Sequence, residues 1–336
     1  MVAPRMGRTE GRVRSFDPFH DVGPVVELIG AAFGDRLDPA GRATLARMRR
    51  FAQGGPVLQW VQLFLGRATA APGLVWEDDG RIVGNASLRR ARSRGGYLVG
   101  NVVVHPDWRG QGIGRALMRA AIEHVSRRGA RWVGLEVRAD NDVARQLYED
   151  LGFHEVGRVL HMLRPAGIPW TASRSLPGPV RRGGSSDSDA LVGLMLAAVP
   201  REHRPLLEVD EIDYRPSGTR AVEHWLRGER EVWWVTDGGG GICGAARIVR
   251  KPGRFPNRLE ILVRPEHEGQ FEAALVRQSI DTLKGSTRKP IEIQAPMPCV
   301  HLTTALEAEG FETLRVLIQM TLSFKQRISI DVRMQG

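Results

Sequence analysis

The sequence predicts an α/β chain of two domains of one kind, each a mixed, mostly antiparallel sheet flanked by helices. Three observations predict it. Strand-like and helix-like periods alternate along the chain, a proline-rich stretch interrupts it near the middle, and local patterns before that stretch recur after it at a nearly constant offset. With 336 residues, 42% apolar and 26% charged, the chain has the size and composition of two globular domains, and either half is long enough to bury its own core.

The front of the chain, residues 1–12, is charged and Gly-rich and reads as a tail. Val13 to Asp17 reads as a short strand. From Asp21, a candidate N-cap, apolar residues at Val22, Val25, Val26, Ile29 and Phe33 mark one helical face. Pro39 opens a second helix through Gln53, and Pro56 to Leu65 is an apolar stretch whose type the pattern leaves open. Leu74 to Glu77 and Arg81 to Arg89, joined by Asp79-Gly80, predict a hairpin, and Tyr97 to Val104 is an apolar run of strand length. A helix is expected from Gly112 to Arg128. Trp132 to Arg138 alternates, with Val133, Leu135 and Val137 on one face and Glu136 and Arg138 on the other. Asn141 to Leu151 reads as a helix ended by Gly152, and His154 to Leu163 as a further strand.

Pro165 to Pro179 carries four prolines among small and polar residues and reads as a linker. Beyond it, Ile82-Val83-Gly84-Asn85-Ala86 is echoed by Ile242-Cys243-Gly244-Ala245-Ala246 at an offset of 160. His105-Pro106-Asp107 is echoed by Arg264-Pro265-Glu266 at 159, and Leu151-Gly152-Phe153 by Glu309-Gly310-Phe311 at 158. Three unrelated patterns at one spacing point to duplication. The expected domains are residues 13–165 and 180–325, joined by 166–179 and followed by a tail at 326–336.

Composition narrows the function. No stretch approaches the ~18 uninterrupted apolar residues of a spanning helix, and the N-terminus has no apolar h-region, so a cytoplasmic, non-membrane protein is expected. Cys243 and Cys299 alone build neither a disulfide framework nor a four-ligand zinc site, and no metal is expected. The formal charge of +10 sits in the front: residues 1–175 carry +9 and residues 176–336 carry +1. The arginines are scattered singly, without an aromatic-interleaved patch, which argues against nucleic-acid binding.

Chemistry concentrates in Asn101-Val102-Val103-Val104-His105-Pro106-Asp107-Trp108-Arg109-Gly110-Gln111-Gly112-Ile113-Gly114-Arg115-Ala116-Leu117. Here a buried strand runs through a tight glycine turn straight into a helix, leaving main-chain N–H groups unpaired at the helix start. Glycines let the backbone approach a phosphate, and the helix dipole favours its charge. Arg115 stands where a dinucleotide fingerprint wants glycine, and no Gly-Lys-Ser/Thr follows, so the common NAD and ATP signatures do not fit.

Arg109-Gly110-Gln111-Gly112-Ile113-Gly114 resembles the Gln/Arg-x-x-Gly-x-Gly/Ala loop of the Gcn5-related N-acetyltransferase (GNAT) superfamily, and Leu135 to Phe153 is similar to that family's second motif. The resemblance covers 13–164 well and 180–325 weakly, as in a tandem member. It implies acetyl-CoA as cosubstrate, with its pyrophosphate on the main-chain amides of Gly110, Gln111, Gly112, Ile113, Gly114 and Arg115, the first arginine of the motif, Arg109, beside it. The pantetheine arm would pair with Val102, Val103 and Val104 like an added strand, Asn141 would contact the coenzyme, and the thioester would lie between two splayed strands. A primary amine, its pKa near ~10.4, must lose a proton to attack. Glu136, twelve residues before Tyr148 as in ribosomal-protein N-terminal acetyltransferases of the family, is the candidate base, and Tyr148 the candidate acid for the departing thiolate.

Plainer readings stand beside these. Tyr148 also fits as a core aromatic, and Glu136 as a solvated residue paired with Arg138. His105 reads as a turn residue and Asn101 as a local hydrogen-bonding residue; the eight tryptophans read as core and interface filling, with Trp60, Trp76 and Trp108 also available to line a substrate groove. In the second copy, Arg264 to Ala273 replaces the glycine loop with acidic residues and a phenylalanine, and Leu306 falls where Tyr148 stands. That copy therefore reads as degenerate, left to shape the acceptor pocket together with residues 34–66 or to provide a homodimer surface. The expected activity is N-acetylation of a small-molecule or peptide amine by direct attack in a ternary complex. An acyl-CoA-binding sensor or scaffold is one alternative. A mycothiol-synthase-like acetyltransferase is another, although there the C-terminal copy is the working one.

Overall fold

Alternating apolar residues commit both halves of the chain to strands, and all of those strands join one sheet. The structure, a computed structural model, describes residues 11–33, Arg42, Leu45, Ala46, Arg49, 70–169, 180–253, 255–283 and 289–324. The first half runs β1 (Arg12–Ser15), α1 (Val22–Phe33), β2 (Ala70–Asp78), β3 (Arg81–Arg90), β4 (Gly96–Val104), α2 (Ile113–Arg127), β5 (Trp132–Arg138), α3 (Asp142–Asp150) and β6 (His154–Arg164). The second runs β7 (Val180–Arg182), α4 (Ser188–Ala198), α5 (Arg204–Leu207), α6 (Gly218–Leu226), β8 (Arg230–Gly238), β9 (Gly241–Arg250), β10 (Asn257–Val263), α7 (Glu272–Leu283), β11 (Ile291–Pro296), α8 (Val300–Ala308) and β12 (Glu312–Ser323). Among the described residues no helix is long and apolar enough to cross a membrane.

The strand order is β1-β2-β3-β4-β5-β12-β6-β11-β10-β9-β8-β7. Each half thus gives its last strand to the other. β12 lies antiparallel on β5, with Leu317 to Ser323 against Arg138 to Trp132, and β6 lies antiparallel on β11, with Arg164 to Val159 against Ile291 to Pro296. The two exchanged strands pair with each other at the centre. The sequence reading left β6 with its own half, because a local period of two identifies a strand but not its neighbour.

Packing follows the exchange. α2 turns Ile113, Leu117, Met118, Ala121 and Val125 onto the sheet, where they meet Val83, Val133, Leu135 and Val137 together with Ile318 and Met320 of β12. In the mirrored cluster, Leu160 and Met162 of β6 pack with Ile248, Leu259 and Leu275. Each core is therefore finished by side chains from the other half.

Some local expectations shift. α1 buries Val25, Val26 and Ile29 as its period requires, and Leu28 as well. Asp21 precedes the helix, but its buried carboxylate accepts hydrogen bonds from Arg14 and the Asp17 amide, so it ties the helix start back to β1. Of the helix expected from Pro39 to Gln53, Arg42, Leu45, Ala46 and Arg49 are helical; its other residues, and Pro56 to Leu65 with Trp60, lie outside the described residues.

One glycine is fixed by its neighbour. A Cβ at Gly157 in β6 would sit 2.1 Å from His203 Cε1, and that ring is itself buried. Gly157→Ala is expected to destabilise the protein by about 1–3 kcal/mol through overpacking, read as a lower urea midpoint at unchanged slope. An unchanged midpoint would mean that the His203 ring has room to move.

Candidate active site

β4 and β5 run parallel but stay paired only from Gly96–Val99 against Trp132–Leu135. Beyond Val99 they part. β4 carries a register shift against β3 between Asn85 and Ser87, and Asn101 there adopts φ +49°. The Asn85 amide donates to the Asn101 carbonyl at 2.9 Å and holds this bulge, which bends β4 away from β5. The β5-facing main chain of Val102, Val103 and Val104 is thereby left beside an open fork.

The fork ends on a helix start. His105 caps the short turn Pro106–Trp108 by accepting from the Asp107 amide, and Trp108 Nε1 donates to Asp78 Oδ2 at 3.0 Å, anchoring the loop to the β2–β3 hairpin. Arg109 Nε donates to the Val104 carbonyl at 3.2 Å. Gly112 then stands at the N-cap of α2 with φ +80°, and no side chain caps the helix. A Cβ at Gly110 or Gly112 would meet nothing within 4 Å, so the glycines serve a left-handed backbone and an open approach to the amides of Ile113, Gly114 and Arg115. This socket is an uncapped helix start of the kind that accepts anions.

At the other end of the fork lies a cavity of about 320 Å³ whose lining includes Val99, Gly100, Asn101, Glu136, Leu206 and Leu317. Leu206 and Leu317 come from the second half. Glu136 opens into this space, and Gln319 Nε2 of β12 donates to its Oε1 at 2.9 Å. Gln319 is fully buried, and its Oε1 lies 2.8 Å from Nδ1 of the buried His203. Desolvation raises the Glu136 pKa above the ordinary carboxylate value; the Gln319 hydrogen bond and the charges of Arg315 and Arg89 oppose the shift, and Glu208 adds to it.

The acetyltransferase (GNAT) family model matches residues 45–153, the segment that carries the fork, the glycine turn and Glu136. Residues 45–153 therefore form a GNAT acetyltransferase domain. A GCN5-related N-acetyltransferase from Sphaerobacter thermophilus has the same fold at TM-score 0.65 and 17% identity, over 94% of this chain and 96% of that one. A tandem GNAT protein from the clavulanic acid biosynthesis pathway aligns at TM-score 0.59 and 19% identity, over 94% and 98%. In sequence, 55 residues are 49% identical to the [ribosomal protein bS18]-alanine N-acetyltransferase of Escherichia coli, covering 16% of this chain and 37% of that protein. A stretch of 57 residues is 49% identical to the mycothiol acetyltransferase of Nocardiopsis dassonvillei, covering 17% and 16%. These curated relatives are thus matched over well under two thirds of their length.

Within this GNAT fold the remaining sequence candidates separate. Tyr148 is buried on α3 with its ring 6.0 Å from that of Phe153, in the same core as Ile113 and Val137, and burial pushes its phenol up to about 12. It therefore has the packing role that the sequence also allowed. Asn141 accepts from the Ala144 amide as N-cap of α3. The side chain of Arg115 bridges α2 to Asp150 on α3, so the part of Arg115 at the socket is its main chain. Arg138 pairs with Asp140, so the pairing with Glu136 that the plain reading offered is not the one formed. Trp76 packs against the core and Trp108 packs there and holds the loop, the filling role that the sequence favoured for its tryptophans.

The second GNAT copy repeats the geometry and fills it. β10 and β11 pair from Asn257–Leu259 against Ile291–Ile293 and then diverge. At the start of α7, both carboxylate oxygens of the buried Glu272 accept the Gly269 amide at 3.0 Å, and Oε2 also accepts from Phe271 at 3.2 Å. The chain's own carboxylate thus sits on the loop amides that lead into the helix. Leu306, at the place of Tyr148, is 1% exposed.

Sequence reasoning missed His203, Leu206 and Gln319, because it treated the second copy as damaged. One signal was present: Gln319 is an amide inside the apolar run Val316-Leu317-Ile318-Gln319-Met320, and a buried strand keeps such a residue only with partners for it.

Proposed function

We propose that the chain transfers the acetyl group of acetyl-CoA to a primary amine of a small molecule or peptide, in its first half, by direct attack within a ternary complex. The observation that carries this reading is the contrast between two like forks. The first ends on a glycine-started helix without a side-chain cap, with Glu136 in the adjoining cavity, whereas the second is closed by Glu272. Socket amides from Gly110 to Arg115 hold the pyrophosphate, with Arg109 bracing the strand end, and the free edge of Val102 to Val104 takes the pantetheine amides. Asn141 sits at the mouth of α3, where its remaining amide group meets the coenzyme.

The chemistry then balances on two side chains. The amine nitrogen attacks the thioester carbonyl and gives its proton to the Glu136 carboxylate; the C–N bond forms, the C–S bond breaks, and Tyr148 gives its proton to the departing thiolate. A phenol held near 12 stays protonated over the working range and remains a donor. Acetyl-CoA mixed with an amine panel is expected to release free thiol and yield N-acetyl product. Calorimetry should give one coenzyme per chain; two would contradict the part assigned to Glu272.

Because Glu136 works only when ionised and its pKa is raised, kcat/KM referred to the neutral form of the acceptor amine is expected to fall as pH drops through a value above the ordinary carboxylate range. A pH–rate profile of a good acceptor checks this. A flat profile down to pH 4 would remove Glu136 from the base role.

A further inference from the structure

We propose that His203 and Gln319, both from the second copy, are positioning residues that orient the Glu136 carboxylate for proton acceptance. The inference rests on Glu136 being the base. It gives the second copy a task inside the first copy's site.

Gln319 is fully buried on β12, directly opposite Glu136 of β5 in the ladder. A primary amide has one donor end and one acceptor end, and no water reaches this one to replace a lost partner. Turned as observed, it donates from Nε2 to Glu136 Oε1 at 2.9 Å. Turned over, it would set a carbonyl oxygen against a carboxylate. His203 decides between the two: its Nδ1 lies 2.8 Å from Gln319 Oε1 and donates to it, which fixes the amide and with it one oxygen of Glu136. The other oxygen is left for the amine. The seat of His203 is itself built, since only a residue without Cβ at 157 leaves room for the ring.

The remaining charges facing Glu136 are Arg89 of β3, Arg315 of β12 and Glu208 beyond α5, and Arg89 is paired with Glu208. A change in Gln319 leaves the Arg89–Glu208 pair in place.

The experiment measures kcat/KM, referred to the neutral form of the acceptor amine, against pH for the full chain and five variants, with acetyl-CoA affinity by calorimetry. In Gln319→Leu the donor to the ionised base is lost. The acid limb is expected to move up by about 0.5–1 pH unit and kcat to fall roughly tenfold, with coenzyme affinity unchanged. Gln319→Glu keeps the shape and replaces the donor by a negative charge, so its limb moves at least as far, and it serves if the leucine variant does not fold. His203→Phe shifts the limb in the same direction. His203→Asn, whose side-chain N–H stands in for Nδ1–H, restores it. Acid limbs at the wild-type pH in both Gln319 variants overturn the proposal. Glu136→Gln separates the two levels: loss of the acid limb there, with unmoved limbs in the Gln319 variants, sinks the positioning role alone, whereas an acid limb that survives Glu136→Gln sinks the base reading itself.

Discussion

Replacing Gly112 by aspartate is expected to weaken acetyl-CoA binding by roughly 10³-fold. Aspartate tolerates a left-handed backbone better than most residues, and open space surrounds the position, so misfolding is not the main cost. The cost is electrostatic. An N-cap carboxylate folds back onto the amides of its own helix, and so would compete for the groups proposed to hold the pyrophosphate. Two like charges ~4 Å apart at an effective dielectric of ~20 repel by about 4 kcal/mol, which corresponds to a loss of that size in Kd. Gly112→Asn, of the same shape without the charge, should lose much less. Calorimetric titration of the pair decides the matter; equal affinities in the two variants would mean that the socket holds no anion.

Tyr148→Phe is expected to reduce kcat by on the order of 10²-fold while leaving coenzyme affinity and stability nearly unchanged. The phenylalanine ring keeps the contact with Phe153 and the place among Ile113 and Val137, so the core survives. What disappears is one O–H, held protonated by burial, for the departing thiolate. Single-turnover kinetics with an activated thioester of lower leaving-group pKa should recover much of the rate. Wild-type turnover in Tyr148→Phe would leave this residue with its packing role alone.

The parts of the fold legible in the sequence are those set by local pattern. The alternation of Val133, Leu135 and Val137 located β5, the Asp79-Gly80 turn located the hairpin, and Gly110 and Gly112 located the start of α2. Partner choice is another matter. Val159 to Leu163 in β6 and Val316 to Met320 in β12 carry nearly the same apolar mixture, so either strand suits either edge, and nothing within a window of ten residues distinguishes them. The same blindness hid half of the site. Glu136 could be singled out from its strand face, but Gln319 lies 183 residues away and becomes its neighbour only through the exchange.

The exchange also sets a timetable for making the protein. A nascent chain that has emerged through Arg164 carries the glycine turn and Glu136, yet β5 still shows a bare apolar edge, because Leu317 to Ser323 have not been synthesised. Such an edge is a ready template for wrong pairing, which makes this interval the one in which a ribosome-bound chaperone would matter most. The candidate site is complete only once β12, from the second half, has emerged to close that edge.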